Sequence, residues 1–422
     1  MFFLSLKHPL FSPLKLPIFW AVLFLAPLYV GVALSGAPKT LAVLESILAP
    51  LSLWACLRLR VEQRFVFGLF VGFGMFYWTA LSFRYNAYPF LMPLIALLVA
   101  CCYGGFFYLL LFKQSVLFRV PALWLSSAIH PFGFDWFIPD AFFAYSFFKV
   151  DKLSFFLILC ALALLADRRL SPLYARIVAG VLFVCALQIP KSSVPLEGIE
   201  PISTQINQSD KWSSAELKSN IDANFALIHQ AVKKHQKIVI LPETAFPIAL
   251  NKSLLIPPLL QLSEQITIIT GALYEEGKTI YNSTYIFDKG QYHYAHKVIL
   301  APFGESMPFP DFLANALDRF FFGAEVFKLG HATHFSDFKT TALPLRPLVC
   351  YEGTSAKAYK NSPPYLVVVS NNAWFVPSIE PFLQRMLLKY YARRFNKTIV
   401  HSANKSPAYI LSPTLFGDQI FK

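Results

Sequence analysis

Residues 343–352 read Leu-Pro-Leu-Arg-Pro-Leu-Val-Cys-Tyr-Glu, a short apolar run that ends in a cysteine and is soon followed by a carboxylate. The run has the length and composition of a buried β-strand. Cys350 is the only cysteine after Cys185, so the part of the chain that contains it cannot form an internal disulfide. Such a thiol is either a small hydrophobe at the end of a core strand or a nucleophile, and spacing alone leaves both interpretations open.

The charged residues divide the chain into two parts of different composition. Residues 1–190 contain 20 charged side chains, 14 basic and 6 acidic, whereas residues 191–422 contain 41, 23 basic and 18 acidic. We therefore predict a helical membrane domain over 1–190 and a soluble domain over 191–422. Most of the net charge of +13 belongs to the membrane part, where basic residues report topology, and it does not indicate nucleic-acid binding.

Apolar stretches in the first part predict about seven membrane-spanning helices. They are Leu16–Leu34, Leu41–Leu57, Phe65–Phe83, Tyr88–Phe112, about Val120–Ile129, Leu153–Ala166 and Ser171–Ile189. With seven spans, ten basic residues fall on one side and four on the other, so the N-terminus is expected in the cytoplasm. An odd number of spans then puts the soluble domain in the periplasm of a bacterium, whereas an even number would put it inside.

Short apolar runs alternate with helical patterns after Pro190. Helical spacing covers Ala215–Lys234, and a basic amphipathic helix is predicted for Phe382–Phe395. The strand-like runs are Lys237–Pro242, Gln265–Leu273, Tyr281–Phe287, Leu343–Cys350 and Tyr365–Ser370. Runs that are apolar throughout are typical of strands buried on both faces, so we predict a layered α/β domain. Neither a phosphate-binding glycine loop nor a cysteine–histidine metal motif occurs in the sequence.

Residues that can take part in chemistry lie at the ends of three apolar runs. Glu243 directly follows the first, and Lys297 and Glu305 flank another apolar run. Cys350 ends the third. Because ligands bind beyond strand ends in α/β folds, these side chains are candidates for one site. A carboxylate base, an ammonium for an oxyanion and a thiol that forms a thioester are a workable set for acyl transfer. Each also has an ordinary explanation, such as a surface lysine or a helix N-terminal carboxylate.

The segments Pro302-Phe303-Gly304-Glu305, Cys350-Tyr351-Glu352 and Ser370–Phe375 together resemble the apolipoprotein N-acyltransferases, membrane-anchored members of the nitrilase superfamily. The resemblance implies an αββα sandwich for residues 191–422. It also implies a catalytic triad of Glu243 as general base, Lys297, and Cys350 as nucleophile. The supporting positions that it implies are Glu305, Tyr351, Glu352, Trp374 and, less closely matched, Asn282. The sequence departs from the family pattern at Asn372 and Val376, where aspartate and glycine are usual.

The resemblance further implies a reaction. A fatty acyl chain would pass from a membrane phospholipid, through a cysteine thioester, to the N-terminal amine of a diacylglyceryl-cysteine on an apolipoprotein, at the bacterial inner membrane. It implies a monomer that needs no metal, no organic cofactor and no nucleic acid. The apolar segment Phe309–Phe327 is predicted to be a membrane-dipping lid or, alternatively, a core helix.

Two other functions fit parts of the pattern. A membrane-tethered amidase of the nitrilase type would use the same triad and give the acyl group to water. A transporter with an extracytoplasmic binding domain would require polar residues within the spans and interrupted helices in paired halves. The predicted spans carry few charges and have no internal symmetry, which argues against a transporter.

Overall fold

The structure is a computed structural model that describes residues 15–85, 88–167, 171–191, 194–306 and 329–421. The chain divides into two compact units. The first consists of the described residues of Met1–Ala80, Phe90–Ile129 and Ile138–Ile189. The second consists of those of Leu81–Pro89, His130–Phe137 and Pro190–Lys422. Two short segments from the N-terminal half thus belong to the same unit as the C-terminal half.

The described part of the first unit is built from seven α-helices in the predicted places. They are α1 (Lys15–Ala33), α2 (Pro38–Arg58), α3 (Arg64–Phe76), α4 (Met92–Leu110), α5 (Val116–Ser126), α6 (Lys152–Ala166) and α7 (Pro172–Ala186). Four helical stretches among the described residues are long and apolar enough to cross a membrane: Leu16–Ala33, Pro38–Arg58, Val61–Tyr85 and Pro89–Leu110.

The other three helices are shorter than a membrane span. α6 and α7 have 15 residues each and α5 has 11. At about 1.5 Å per residue, 15 residues extend roughly 22 Å, whereas the hydrocarbon core is about 30 Å thick. The helical membrane domain is therefore confirmed, but the predicted count of seven spans is not.

Glycines allow α3 and α4 to approach each other closely. A Cβ atom on Gly72 would lie 2.5 Å from the Cβ of Tyr103, and one on Gly68 would lie 2.5 Å from the Tyr103 carbonyl oxygen. Both distances are shorter than any ordinary contact. Small residues four apart on one helix face are a common way to bring membrane helices together, since lipid provides no hydrophobic drive for association.

A buried arginine fixes α5 to the end of α2. The Arg119 Nη1 donates to the carbonyl oxygens of Cys56 at 2.9 Å, Leu57 at 3.2 Å and Leu59 at 2.6 Å. The last carbonyls of a helix have no partner within the helix and carry partial negative charge. Arg119 thus satisfies these groups where water is excluded.

The described residues of the second unit form two β-sheets, and the first has six strands. These are β1 (Ile199–Pro201), β3 (Ile238–Ile240), β4 (Phe246–Ala249), β5 (Thr267–Glu276), β6 (Thr279–Asp288) and β7 (Gln291–His296). Their order is β1-β3-β5-β6-β7, with β4 beside β5. β1, β3 and β5 run parallel, whereas β5, β6 and β7 form antiparallel hairpins.

The second sheet has seven strands in the part of the chain that the structure describes. These are β2 (Ser203–Thr204), β8 (Phe338–Lys339), β9 (Pro344–Val349), β10 (Tyr365–Asn371), β11 (Thr398–Asn404), β12 (Ala408–Leu411) and β13 (Gln419–Phe421). Their order is β13-β12-β11-β10-β9-β8, with β2 beside β11. Because β9, β10 and β11 are parallel, their carboxyl ends meet at one edge of the sheet.

The two sheets pack face to face through aliphatic side chains. The core between them contains Ile240, Ile269 and Ile286 from the first sheet and Val349, Val367, Val369 and Val400 from the second. The other face of the first sheet is covered by α9 (Ser214–Lys233) and α10 (Ile256–Ser263). α11 (Glu380–Phe395) packs on the second sheet. The soluble domain is thus the predicted layered α/β fold, with the layers in the order helix, sheet, sheet, helix.

The helix predicted over Phe382–Phe395 exists as α11, but it is not amphipathic. None of its sixteen residues is exposed. Lys389 is buried because its Nζ donates to the Ser412 carbonyl at 3.0 Å, the Thr414 carbonyl at 2.7 Å and Asp418 at 2.5 Å. The segment after β12 therefore covers a basic residue that the sequence pattern alone would place in solvent. The segment Phe309–Phe327, predicted as a lid or core helix, lies outside the described residues.

Candidate active site

Glu243 lies in the turn that follows β3. The turn approaches β5 so closely that a Cβ atom on Gly271 would be 2.6 Å from the Glu243 Cα, and the Gly271 N–H donates to the Pro242 carbonyl at 3.2 Å. The Asn282 Nδ2 donates to the Glu243 Oε1 at 2.7 Å. The close contact with Gly271 fixes the main chain of Glu243, and the Asn282 amide fixes one of its carboxylate oxygens. Together the two contacts hold the carboxylate in one orientation.

Lys297 directly follows β7 and is nearly inaccessible to solvent. Its N–H donates to the Asn282 carbonyl at 2.9 Å, so one asparagine contacts both the glutamate and the lysine. Its Nζ forms an ion pair with the Glu305 Oε2 at 2.6 Å. Burial lowers the pKa of Lys297, but the carboxylates of Glu305 and Glu243 outweigh burial and raise it above its usual value. The lysine therefore remains charged.

Cys350 occupies the first position after β9 and has a φ of 50°, in the left-handed region that non-glycine residues seldom adopt. The side chain is half-buried, and the Gln384 Nε2 lies 3.8 Å from the Sγ. Burial and the charge of Glu243 raise the pKa of the thiol, whereas the charge of Lys297 lowers it. A thiol whose pKa is raised needs a nearby base to become a nucleophile.

Glu352 joins the lysine segment to the cysteine turn. Its Oε1 accepts from the N–H groups of Val298 at 2.5 Å and Ile299 at 3.0 Å, and its Oε2 accepts from the Val349 N–H at 2.8 Å. Burial raises the pKa of Glu352 to about 7, although the charge of Lys297 and these three hydrogen bonds oppose the shift. Glu352 thus fixes the end of β9 relative to the segment that carries the lysine.

Tyr351 packs on the segment His130–Phe137, which belongs to the same unit. Its hydroxyl accepts from the Asp135 N–H at 2.9 Å and donates to the Gly133 carbonyl at 3.2 Å. Its ring stacks on Trp136 with a centroid distance of 6.2 Å. The turn that contains the thiol is therefore anchored on its outer side.

Trp374 lies in the turn after β10 and packs edge-to-face on Tyr85, with ring centroids 5.5 Å apart. The Arg84 Nη2 donates to the Val376 carbonyl at 2.8 Å, and the Tyr85 hydroxyl donates to the Ala373 carbonyl at 3.3 Å. These contacts hold the turn through its main chain and leave the indole half-buried.

The structure brings the three predicted triad positions together. The charges of Glu243 and Lys297 both act on the Cys350 thiol, although the first two come from one sheet and the third from the other. Of the supporting positions, Glu305 and Asn282 are bonded to members of this group, and Glu352 joins the segments around it. Tyr351 and Trp374 belong to the turns that border it.

Sequence reasoning missed two residues that the structure adds. Gln384, on α11, contacts the sulfur, as described above. Lys211, at the end of the short helix α8 (Gln208–Lys211), is 2% exposed, and its Nζ donates to the Glu243 carbonyl at 2.8 Å. Neither belongs to a recognisable motif, so only the fold reveals their positions. Among the described residues, no three His, Cys, Asp or Glu side chains come together as a metal site would require.

Known proteins are similar to this chain in sequence and in structure. The family model for the apolipoprotein N-acyltransferase integral membrane domain matches residues 12–189. The chain is 46% identical over 411 residues to an apolipoprotein N-acyltransferase of Helicobacter pylori, covering 95% of this chain and 96% of that relative. It is 42% identical over 404 residues to one of Wolinella succinogenes, with the same coverages. A CN-hydrolase superfamily protein of Xanthomonas campestris is a distant structural neighbour, with 13% identity and a TM-score of 0.41 over 53% of this chain and 86% of that one.

The fold and site define a membrane-anchored protein whose α/β sandwich gathers a glutamate, a lysine and a cysteine at strand ends. The identity to full-length relatives is high enough to assign the family. The chain belongs to the apolipoprotein N-acyltransferases and is therefore an acyltransferase.

Proposed function

We propose that this protein transfers a fatty acyl chain from a membrane phospholipid, through a thioester on Cys350, to the N-terminal amine of a diacylglyceryl-modified apolipoprotein. The observation that carries the proposal is the convergence of Glu243, Lys297 and Cys350 within a chain of this family. Both substrates are lipids, and a membrane domain suits them because moving an acyl chain into water costs about 0.8 kcal/mol per exposed CH₂.

In the first step, the Cys350 Sγ attacks the carbonyl carbon of the phospholipid ester. Glu243 takes the thiol proton, and Lys297 stabilises the oxyanion of the tetrahedral intermediate. The C–O bond then breaks, the lysophospholipid alkoxide leaves with the proton from Glu243, and an acyl-thioester remains. The raised pKa of the thiol supports this order, because deprotonation has to accompany attack.

In the second step, the amine of the apolipoprotein attacks the thioester carbon. Glu243 accepts a proton from the amine, the C–S bond breaks, and Glu243 gives the proton to the leaving thiolate, which regenerates the thiol. The result is an amide on the lipoprotein and a free enzyme, which is a ping-pong cycle. Asn282 keeps the carboxylate aimed at the thiol in both steps, since its amide bonds one carboxylate oxygen.

We further propose that the enzyme acts as a monomer in the inner membrane with its catalytic unit in the periplasm. The distribution of basic residues between the loops of the first 190 residues supports this orientation if α5, α6 and α7 cross the membrane together with the four longer helical stretches, which gives an odd number of spans. The presence of a single cysteine after residue 190 is compatible with an oxidising compartment, because no second thiol in that part of the chain can form a disulfide with it.

Intact-mass analysis in phospholipid tests the proposal. The wild-type protein should gain the mass of one fatty acyl chain, and hydroxylamine should remove it. The Cys350→Ala variant should gain nothing, whereas Cys185→Ala, which removes an exposed thiol in α7, should behave as the wild type. Adding a diacylated lipopeptide should then discharge the adduct onto the peptide amine. An adduct that is lost to water as fast without the peptide as with it would favour the amidase instead. An adduct on Cys350→Ala would show that Cys350 is not the nucleophile.

A further inference from the structure

Lys211 is a second buried lysine beside the proposed triad. Its Nζ has the Glu243 carbonyl as hydrogen-bond acceptor at 2.8 Å. Among the ion pairs of the described residues, none involves Lys211, whereas the Lys297 ammonium is bonded directly to Glu305. A buried ammonium without a carboxylate in contact is costly, so its retention requires a reason.

An amide network holds the segment that carries Lys211. The Asn371 Nδ2 at the end of β10 donates to the Gln208 Oε1 at 2.8 Å. Asn404 at the end of β11 binds both main-chain groups of Ile206, accepting from its N–H at 2.9 Å and donating to its carbonyl at 2.8 Å. Asn404 also donates to the Asn371 Oδ1 at 2.9 Å. Uncharged side chains from the second sheet therefore fix the short helix α8, so that its lysine reaches the Glu243 turn.

Burial and the carboxylates of Glu243, Glu305 and Glu380 raise the pKa of the Cys350 thiol, whereas Lys297 lowers it. The carboxylates of Glu243 and Glu305 face one ammonium, that of Lys297, and Glu305 is bonded to it directly. Ionised Glu243 and Cys350 both favour the charged form of Lys211. Because such coupling is reciprocal, the Lys211 ammonium favours the thiolate of Cys350 to the same extent.

We propose that Lys211 is a positioning residue that fixes the Glu243 turn through its main-chain carbonyl and supplies the unpaired positive charge that favours ionisation of Cys350. This inference rests on the proposed function for its role in acyl transfer, but its effect on the thiol can be measured without any lipid. It also assigns the two cations different tasks. The Lys297 ammonium is paired with the Glu305 carboxylate. The Lys211 ammonium instead bonds the main-chain carbonyl of Glu243, the proposed base.

The titratable groups near Lys211 are few. Glu243 faces it from the turn after β3 and Cys350 from the turn after β9, while β10 and β11 contribute only amides. Glu216, on the adjacent α9, is exposed. Burial lowers the pKa of Lys211 to about 8, and the ionised forms of Glu243 and Cys350 only partly oppose this. The positive charge is therefore present at neutral pH and is lost as the pH rises through about 8.

The test compares Lys211→Met, Lys211→Arg and the wild type by the rate at which iodoacetamide modifies Cys350, followed by mass spectrometry of the peptide that carries it. At pH 7, Lys211→Met should react about 10–100-fold more slowly, because losing one nearby positive charge moves a thiol pKa by about 1 to 2. Above pH 8 the wild-type rate should rise less steeply than that of Lys211→Arg, whose cation does not titrate there.

Lys389→Met is the matched control, since Lys389 is equally buried but bonded to the segment after β12. It should lower the melting temperature without changing the rate profile of Cys350. Equal rates for Lys211→Met and the wild type would overturn the inference, as would an arginine variant that behaves like the methionine variant. Failure of the wild type to form an acyl adduct would instead refute the proposed function and leave the alkylation result standing.

Discussion

Gly271→Ala should move the proposed general base without touching it chemically. The added Cβ would lie 2.6 Å from the Glu243 Cα and 2.6 Å from the Thr244 nitrogen. Both are main-chain atoms, so no flexible side chain can turn away. Restoring an ordinary contact of about 3.4 Å requires the turn to retreat by about 0.8 Å. A displacement of about 1 Å in a catalytic group can cost about 100-fold in rate.

We therefore expect Gly271→Ala to form the thioester about 100-fold more slowly in single-turnover intact-mass measurements. Overpacking at such a site costs about 1–3 kcal/mol, which corresponds to a fall in melting temperature of roughly 2–12 °C for a domain of this size. Most of the protein should thus stay folded at 25 °C. Gly180→Ala is the control, because nothing lies within 4 Å of a Cβ built there.

A double variant identifies the cause of the loss. Glu243→Gln removes the base and should itself cost about 10²–10⁴-fold. If Gly271→Ala acts only by displacing Glu243, it should slow the glutamine variant little further, because the two changes then share one target. Full activity of Gly271→Ala, or losses that multiply in the double variant, would refute the reasoning that the glycine contact positions the base.

Three further outcomes follow from the described contacts. Asn282→Leu should slow thioester formation about 10- to 100-fold, because a charge-assisted hydrogen bond to the base is worth about 1.5–3 kcal/mol; unchanged single-turnover rates would contradict this. The carboxyl of Glu352 has its pKa raised by burial to about 7, so the folded state should lose stability, by about 3 kcal/mol, as the pH rises from about 4.5 to 7. The Glu352 carboxyl of the unfolded chain already ionises in this pH range, which is why the folded state loses stability there. The melting temperature of Glu352→Gln should therefore not fall over the same pH range. A fall as large as that of the wild type would exclude Glu352 as its cause. Gly72→Leu should separate α3 from α4 and lower the melting temperature in detergent by several degrees, whereas Gly105→Leu on the open face of α4 should not; equal shifts would argue against close helix packing.

The sequence predicted five of the strands but missed others, among them the edge strand β7 and the buried strand β11, in which the polar residues His401 and Ser402 form hydrogen bonds inside the domain. The strands that were predicted are β3, β5, β6, β9 and β10, because a run that is apolar throughout indicates burial on both faces. β7 was missed because Gln-Tyr-His-Tyr-Ala-His at the sheet edge is largely polar and partly exposed. Similarly, the charges of α11 predicted an exposed face, since the covering segment after β12 lies far along the chain and has no signal of its own.

The candidate site was predictable where side chains carry the signal. The positions of Glu243, Lys297 and Cys350 at the ends of apolar runs made them candidates for one site, because ligands bind beyond strand ends in α/β folds. That Cys350 belongs to the other sheet was not predictable, since strand polarity aligns ends only within one sheet. Lys211 was not predictable, because Gln-Ser-Asp-Lys-Trp reads as a polar surface turn and its partner is a main-chain carbonyl 32 residues away. Every residue has a main-chain carbonyl, so the identity of the partner residue does not indicate that a contact of this kind exists.

The division of the triad positions between two sheets has a consequence for biosynthesis. Every strand of the first sheet, from β1 to β7, leaves the ribosome before Cys350 is made. β9 then pairs with β10, which in turn pairs with β11, and both are synthesised later still. A nascent chain therefore carries the proposed base and the lysine without an oriented thiol until β10 and β11 have been synthesised. With the proposed triad, a chain that stops before β10 could not form the thioester, so acyl transfer would begin only once the second sheet is complete.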